Sequence, residues 1–346
     1  MSLKLVKKLA LIFGLMLAGA LVSGIYMYSL IYAPNVKTGQ KDYIIYIPTG
    51  SGFEIILDTL QRRELLKNYA SFNRLAQSMK YKQNVKPGRY LLKANMSNRQ
   101  LIAHLRSGAQ EPVKLTFSTM RTIDELAEKV SLVLEPEKSE FLSSFKDESV
   151  LEKLGYSRHN ILTLFVPNTY EFLWNTNVEQ FIERMRKEHD RFWSKENRLE
   201  KIKAFDLTPS EVYILASIVE KESANDGEKP RIAGVYLNRL RQNIKLQADP
   251  TVVFATGNFN LNRILYQHLS YDSPYNTYIY AGLPPGPICM PSIASLHAVI
   301  DAEQHDYLFF CARPDNSGLH AFAKTLSGHN ENARRFHAWL NKIDIK

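Results

Sequence analysis

Residues 207–224 read LTPSEVYILASIVEKESA, and the larger part of the chain can be interpreted outward from this stretch. Thr208 and Glu211 have the spacing of a capping box, in which each side chain accepts a hydrogen bond from a free backbone amide at the start of a helix. Pro209 falls on the first helical position, where its missing N–H has no consequence. The stretch therefore predicts a helix that begins at Pro209.

One glutamate of this helix is predicted to face the protein interior. At about 100° per residue, the apolar residues fall on a single stripe. The stripe consists of Val212, Leu215 and Val219. Glu222 continues it, whereas Glu220 points to the opposite side, toward solvent. A carboxyl group on an apolar face loses water, which raises its pKa and keeps it protonated, as in the general acid of a glycosidase. Helix geometry leaves one alternative open, a structural Glu222 that bonds to Arg231 or Arg239.

Three further segments have the composition of a sugar-binding site. They are residues 246–251 (LQADPT), residues 275–287 (YNTYIYAGLPPGP) and residues 165–175 (FVPNTYEFLWN). Flat aromatic rings pack on the faces of pyranose sugars, and amide and acid groups bind the hydroxyls. Loops rich in Pro and Tyr also cap hydrophobic cores, so each segment taken alone has a structural alternative. Together the three favour a carbohydrate substrate.

The N-terminus predicts a membrane anchor. Residues 9–33 contain no charged residue over 25 positions, and about 20 residues suffice to cross a bilayer as a helix. Three lysines lie in the preceding tail, residues 1–8, which should keep it cytoplasmic and place the rest of the chain outside the cell membrane. The alternative is a cleaved signal peptide with a cleavage site at residues 18–20. The uncharged stretch is longer than a signal-peptide core, which favours a retained, single-pass anchor.

A small module is expected after a polar linker at residues 34–42. Its strand signals lie at residues 43–48 and 88–92, and its helix signals at residues 53–65 and 101–106. Ser97 and Gln100 form a capping box before the second helix, and Gly108 ends it. Residues 43–110 therefore predict a small α/β module. The complete chain is expected to be α+β, with a larger mixed domain after this module.

The charge distribution and the missing motifs exclude several functions. The net charge is +9, and residues 1–110 hold 16 Lys and Arg against 4 Asp and Glu. Outside the cell this excess suits anionic lipid or an acidic wall polymer, which argues against nucleic acid. The sequence has no phosphate-binding loop, dinucleotide fingerprint, nucleophile elbow or two-histidine metal motif, so no cofactor or metal is expected. Cys289 and Cys311 could form a disulfide or remain free thiols.

Four separated blocks of the sequence resemble the MltG/YceG-type endolytic murein transglycosylases. They are ILASIVEKES (residues 214–223), LNRL with LQADPTV (237–252), SPYNTYIYAGLPPGPI (273–288) and SGHNENARRF (327–336). The resemblance implies a LysM-like module at residues 43–110 and a catalytic domain at residues 113–343. It also implies cleavage of the β-1,4 bond between N-acetylmuramic acid and N-acetylglucosamine in nascent peptidoglycan. The products would carry 1,6-anhydro ends, and cleavage would end glycan elongation, beside peptidoglycan synthases.

The resemblance also implies roles for particular residues. The second acid of the family's E-K-E-[ST] motif corresponds to Glu222, the residue that the helical stripe selects. Motif position implies substrate-binding roles for Gln247, Asp249, Tyr275, Asn276, Tyr278, Asn168 and Tyr170. The family's F-P-D-T-Y motif corresponds to residues 166–170 of this chain, where Asn168 replaces the acid. A hydrogen-bonding role is therefore expected for Asn168 rather than a charged one. His329 is expected to be structural.

Two alternatives remain open at this point. The first is a hydrolytic muramidase on the same scaffold, in which Asp249 would serve as a second acid. The second is a membrane-anchored protein without enzymatic activity that binds peptidoglycan through the basic residues 37–110 or acts as a scaffold.

Overall fold

The structure is a computed structural model that describes residues 3–37, 41–118, 120–261 and 264–342. The chain divides into two compact units. The first unit comprises Met1–Val113 and Glu171–Thr176, and the second comprises Lys114–Tyr170 and Asn177–Lys346. Helices and short two-stranded sheets make up the described residues, which confirms the predicted α+β class.

The chain begins with a long apolar helix, α1 (Leu3–Tyr32), that is exposed along nearly its whole length. Among the described residues, it is the one helix whose length and hydropathy would allow it to cross a membrane. The apolar segment predicted at residues 9–33 is therefore helical, and the helix extends further toward the N-terminus. Such a helix is consistent with a single-pass anchor.

The remainder of the first unit is a two-stranded antiparallel sheet packed with three helices. The sheet pairs β1 (Tyr43–Ile47) with β2 (Gly88–Leu92), and the helices are α2 (Phe53–Arg62), α3 (Tyr69–Ser78) and α4 (Asn98–Ser107). Both predicted strands and the capping box of Ser97 and Gln100 are confirmed. Helix α2 ends before residue 65 because Glu64 adopts a left-handed backbone conformation, with φ of 51°. The LysM-like identity of this module stays a prediction.

The second unit is mainly helical. Its helices are α5 (Ile123–Ser131), α6 (Lys138–Lys146), α7 (Glu148–Leu154), α8 (Val178–Ser194), α9 (Arg198–Lys203), α10 (Pro209–Glu222), α11 (Lys229–Arg241), α12 (Asp249–Thr256), α13 (Tyr266–Leu269), α14 (Ile293–Ile300) and α15 (Leu326–Lys342). The further strands are β3 (Val113–Thr116), which pairs with β4 (Thr169–Phe172), and β5 (Phe309–Ala312), which pairs with β6 (His320–Ala323).

Helix α10 forms the centre of the second unit. Thr208 and Glu211 form the predicted capping box, and Pro209 occupies the first turn. The sequence predicts one apolar stripe on this helix, but every residue from Val212 to Val219 is buried. The reason is that α11, α12 and α14 all pack against α10 and cover it from several sides.

The prediction that Glu220 faces solvent is wrong. Its Oε2 atom accepts hydrogen bonds from the amide and hydroxyl of Ser292, at 3.1 and 2.6 Å, and from the hydroxyl of Ser295 at 2.5 Å. The ammonium of Lys229 lies 3.2 Å from the same oxygen. Burial alone would raise the pKa of Glu220, but these hydrogen bonds outweigh it and hold the pKa below its usual value. Glu220 therefore fixes α10 to the start of α14, where a helix N-terminus favours a negative charge.

Replacing Glu220 with alanine should destabilise the protein by about 3 kcal/mol, because it leaves the ammonium of Lys229 buried with a weaker set of partners. The Lys229 side chain is only 5% exposed and keeps Asp226 at 2.7 Å. Urea unfolding of the full chain in detergent measures the loss. The matched control is Glu200→Ala, whose partner Lys203 is 70% exposed, and it should cost less than about 1 kcal/mol. Equally small losses in both variants would show that the Glu220 contacts do not stabilise the fold.

Candidate active site

Glu222 lies at the end of α10, where two clefts of the second unit meet. Cleft A has a volume of about 530 Å³, and cleft B has a volume of about 330 Å³. Glu222 and Asp249 line both clefts. The other walls of cleft A include Arg121, Lys221, Phe254 and Phe259. Those of cleft B include Tyr236, Gln247, Tyr278, Phe310 and His329. The two acids are therefore common to both clefts.

The surroundings of Glu222 favour its protonated form. Burial raises the pKa of this carboxyl to about 7, and the negative charge of Asp249 acts in the same direction. The hydroxyl of Tyr236 donates a hydrogen bond to Glu222 Oε1 at 2.5 Å, which lowers the pKa in part. The carboxyl group can thus carry a proton near neutral pH and release it without a large energetic cost, as a general acid must.

The partner of Glu222 is neither of the two arginines that the sequence suggested. Arg231 instead pairs with Glu303, with both distances from Nε to the carboxylate oxygens at 3.0 Å. Arg239 donates to the backbone carbonyl of Leu246 at 2.9 Å and to Gln247 Oε1 at 3.2 Å. The structural alternative for Glu222 therefore lacks the ion pair on which it rested.

Arg239 and Thr277 fix the segment that leads into α12. Besides its bonds to residues 246 and 247, the buried Arg239 donates from Nε to the carbonyl of Leu308 at 2.7 Å. The carbonyl of Thr277 accepts from the amide of Gln247 at 3.1 Å, and its hydroxyl accepts from the amide of Ala248 at 3.0 Å. Gln247 itself has a left-handed backbone, with φ of 52°. These contacts hold the side chains of Gln247 and Asp249 at the clefts.

Asp249 and Tyr278 form a second hydrogen-bonded pair beside Glu222. The hydroxyl of Tyr278 donates to Asp249 Oδ1 at 2.6 Å, and burial raises the pKa of this tyrosine. Asn276 is fully buried and supports the same loop. Its amide donates to the carbonyls of Leu269 and Tyr271, at 3.0 and 2.8 Å, and its Oδ1 accepts from the amide of Tyr278 at 3.0 Å. Gln247, Asp249 and Tyr278 thus line the clefts, whereas Asn276 holds Tyr278 in place.

Three other residues with predicted substrate contacts lie outside the linings of clefts A and B. The ring of Tyr275 packs 4.7 Å from that of Phe254, and burial raises the pKa of Tyr275 to about 12. Asn168 is exposed, and its Oδ1 accepts from the amide of Thr169 at 2.7 Å. Tyr170 is buried and donates to the carbonyl of Val166 at 2.8 Å. Substrate binding by Tyr275, Asn168 and Tyr170 stays a prediction.

Sequence reasoning missed two residues that line the clefts. Tyr236 and Arg121 were assigned no role, because an ordinary helical tyrosine and an isolated arginine carry no motif of their own. His329 lines cleft B and stacks on Phe309 with ring centroids 5.5 Å apart. Its structural role stays a prediction.

The two cysteines take no part in either cleft. Both are free thiols, so the structure contains no disulfide between Cys289 and Cys311. Burial raises the pKa of the Cys289 thiol to about 12, which makes it unreactive. Among the described residues, no three side chains of the His, Cys, Asp or Glu types are grouped so that they could hold a metal ion.

Replacing Glu222 with glutamine should stabilise the protein in a pH-dependent way. The folded state holds the proton up to about pH 7, whereas the unfolded chain releases it near pH 4.3. Wild-type stability should therefore fall relative to Glu222→Gln as the pH rises between these values, by at most about 4 kcal/mol. Urea unfolding of both proteins at about pH 4 and about pH 8 measures this difference. A difference that does not change with pH would contradict the raised pKa.

Comparison with known proteins gives one consistent result. The YceG-like family matches residues 45–335. The endolytic murein transglycosylase of Bacillus subtilis is 28% identical over 335 residues, covering 91% of each chain. The protein of the same name from Streptococcus pneumoniae is 30% identical over 338 residues, covering 89% of this chain and 61% of that protein. A crystal structure of a YceG-like protein from Listeria monocytogenes aligns with a TM-score of 0.53 at 29% identity, covering 85% of this chain and 99% of that one. This chain belongs to the YceG-like family.

Proposed function

We propose that this protein is an endolytic murein transglycosylase that cleaves the β-1,4 bond between N-acetylmuramic acid and N-acetylglucosamine within peptidoglycan strands. The observation that carries the proposal is the partly buried carboxyl group of Glu222, which has a pKa of about 7 and lies at the meeting point of two clefts. The curated relatives that match nearly the whole chain are named endolytic murein transglycosylases.

One carboxyl group is sufficient for this reaction. Protonated Glu222 donates its proton to the glycosidic oxygen as the bond to C1 of the muramic acid breaks. The resulting carboxylate then removes a proton from the C6 hydroxyl of the same sugar, and O6 attacks C1 to close the 1,6-anhydro ring. Glu222 is protonated again at the end. The attack is intramolecular, so no water is consumed, and the proton transfer contributes about 10²–10⁴ to the rate.

The neighbouring side chains have separate tasks in this mechanism. Tyr236 donates to one oxygen of Glu222 and so orients the other oxygen for proton transfer. Gln247, Asp249 and Tyr278 line the clefts with groups that bind sugar hydroxyl and N-acetyl groups. Because Glu222 lines both clefts, a strand that fills the two clefts continues past the broken bond in both directions, as cleavage within a chain requires.

The N-terminal part of the chain would hold the enzyme at its substrate. We assign α1 as a single-pass anchor in the cell membrane with residues 1–8 in the cytoplasm, since lysines precede the apolar segment. The first 110 residues carry the excess positive charge, which suits anionic lipid and an acidic glycan. We propose that residues 43–110 form a LysM-like module that binds glycan. We also propose that peptidoglycan synthases are partners of this protein. In this position, cleavage would terminate the elongation of nascent strands.

A hydrolytic muramidase is the second candidate, and the position of Asp249 favours it. This residue lines both clefts together with Glu222, as the second acid of a hydrolase must. Hydrolysis needs a second carboxyl group about 5–9.5 Å away that acts as a nucleophile or activates water. The two reactions differ in their products, because only hydrolysis incorporates oxygen from water.

Incubation of the full chain in detergent with uncrosslinked glycan strands in ¹⁸O-labelled water tests the proposal. Mass spectrometry should show new 1,6-anhydro ends without ¹⁸O. The Glu222→Gln variant should form these ends at least about 100-fold more slowly, because it cannot donate the proton. Wild-type activity should fall as the pH rises through about 7, where Glu222 loses its proton.

The control for this experiment is Glu200→Gln, which removes an exposed acid of α9 and should cleave at the wild-type rate. Reducing ends that contain ¹⁸O, in place of anhydro ends, would show that the protein is a muramidase rather than a transglycosylase. Undiminished cleavage by Glu222→Gln would refute the role of Glu222, and an inactive wild type that still binds strands would favour a scaffold protein.

A further inference from the structure

Cleft A contains two positive charges that the cleavage step does not use. Arg121 and Lys221 line it together with Glu222. Among the described residues, neither cation takes part in an ion pair, and the guanidinium of Arg121 makes no hydrogen bond to another side chain. Glu125 lies nearby, but its carboxylate accepts from the backbone amide of Arg121, at 2.8 Å. Cleft A is therefore lined by two acids, Glu222 and Asp249, and by two cations.

The guanidinium of Arg121 is held in place without using its donors. It lies over the ring of Phe259, 4.4 Å from the centroid. A cation–π contact of this kind fixes the plane of the guanidinium and leaves its N–H edge available for a planar anion. Lys221 is exposed on the last turn of α10, directly before Glu222. It adds a second positive charge to the lining of cleft A.

The remaining wall of cleft A is apolar. It is formed by Val253, Phe254, Leu261, Ile264 and Ile288. A strand without peptides offers these cations the lactyl carboxylate alone, and it offers this wall only the lactyl and N-acetyl methyl groups. The lactyl arm of muramic acid carries a stem peptide that has both, since such peptides combine alanine methyl groups with free carboxylates.

We propose that cleft A binds a muramic acid residue together with its stem peptide, with a peptide carboxylate held by Arg121 and Lys221. The inference rests on the proposed function and specifies its substrate. Arg121 receives the carboxylate in the fork geometry of a guanidinium, Lys221 adds charge, and the apolar wall contacts the alanine methyl groups. A carboxylate of the same chemistry is exposed on the lactyl group when the peptide is absent, so the test must separate the two sources.

The test measures binding and cleavage with three kinds of glycan strand, all freed of lipid pyrophosphate so that carboxylates are the only anions. The first kind carries stem peptides with free carboxylates, the second carries the same peptides amidated, and the third is stripped of peptides by an amidase. The full chain is used as wild type, Arg121→Gln, Lys221→Gln and the double variant. The control, Lys187→Gln with Lys203→Gln, removes the same charge from two exposed lysines outside both clefts.

Each single variant should lower kcat/KM on strands with free peptide carboxylates by about threefold to fivefold, and the double variant by about tenfold. The effect should shrink at high salt and be absent with amidated peptides. The control variant should match the wild type on all three strands. Equal losses on all strands, no loss on any, or a loss confined to stripped strands would overturn the assignment to the stem peptide.

Binding measured in the Glu222→Gln background keeps this inference separate from the proposed function. Labelled strands should bind this variant without being cleaved, and adding Arg121→Gln should weaken binding only to strands with free peptide carboxylates. If wild type forms no anhydro ends but this selective loss of affinity is seen, the proposed function fails and the subsite stands. If anhydro ends form and the loss of affinity is not selective, the subsite fails alone.

Discussion

The desolvation of one carboxyl group is the constraint on which the site depends. Glu222 ends a helix whose residues 212–219 are all buried, and its own desolvation disfavours the charged form and raises the pKa to about 7. The hydrogen bond from Tyr236 limits this rise, because it favours the carboxylate that exists after the proton is given away. Burial and hydrogen bonding oppose each other, and this balance gives an acid that can both donate and recover a proton at neutral pH.

The two acids of the Glu-Lys-Glu sequence show how one short motif produces two kinds of carboxylate. Glu220 receives hydrogen bonds from Ser292 and Ser295 and lies beside a buried lysine, so it remains charged and fixes the end of α10. From the described residues Glu222 receives one hydrogen bond, that of Tyr236, and it remains uncharged more easily. The rigidity supplied by the first acid keeps the second one at the meeting point of the clefts, which links the stability of the fold to the geometry of the site.

The sequence predicted those features of the structure that depend on local patterns. The capping box at Thr208 predicted the start of α10, and helical spacing selected Glu222. Each of these signals depends only on residues that are a few positions apart in the sequence. Contacts made across the chain could not be predicted in this way. Glu220 is predicted to face solvent because the serines that bind it come 72 and 75 residues later, and neither Tyr236 nor Arg121 carries a signal that would bring it to the site.

The most direct test is an NMR titration of the Glu222 side chain in the full protein, labelled with ¹³C at the glutamate carboxyl carbon. The resonance of this residue is assigned by its absence in Glu222→Gln. Wild-type Glu222 should titrate with a pKa of about 7, and Tyr236→Phe should raise that pKa, since it removes the one hydrogen bond that favours the carboxylate. A pKa near 4.3, the ordinary value for a solvated glutamate, would contradict the account.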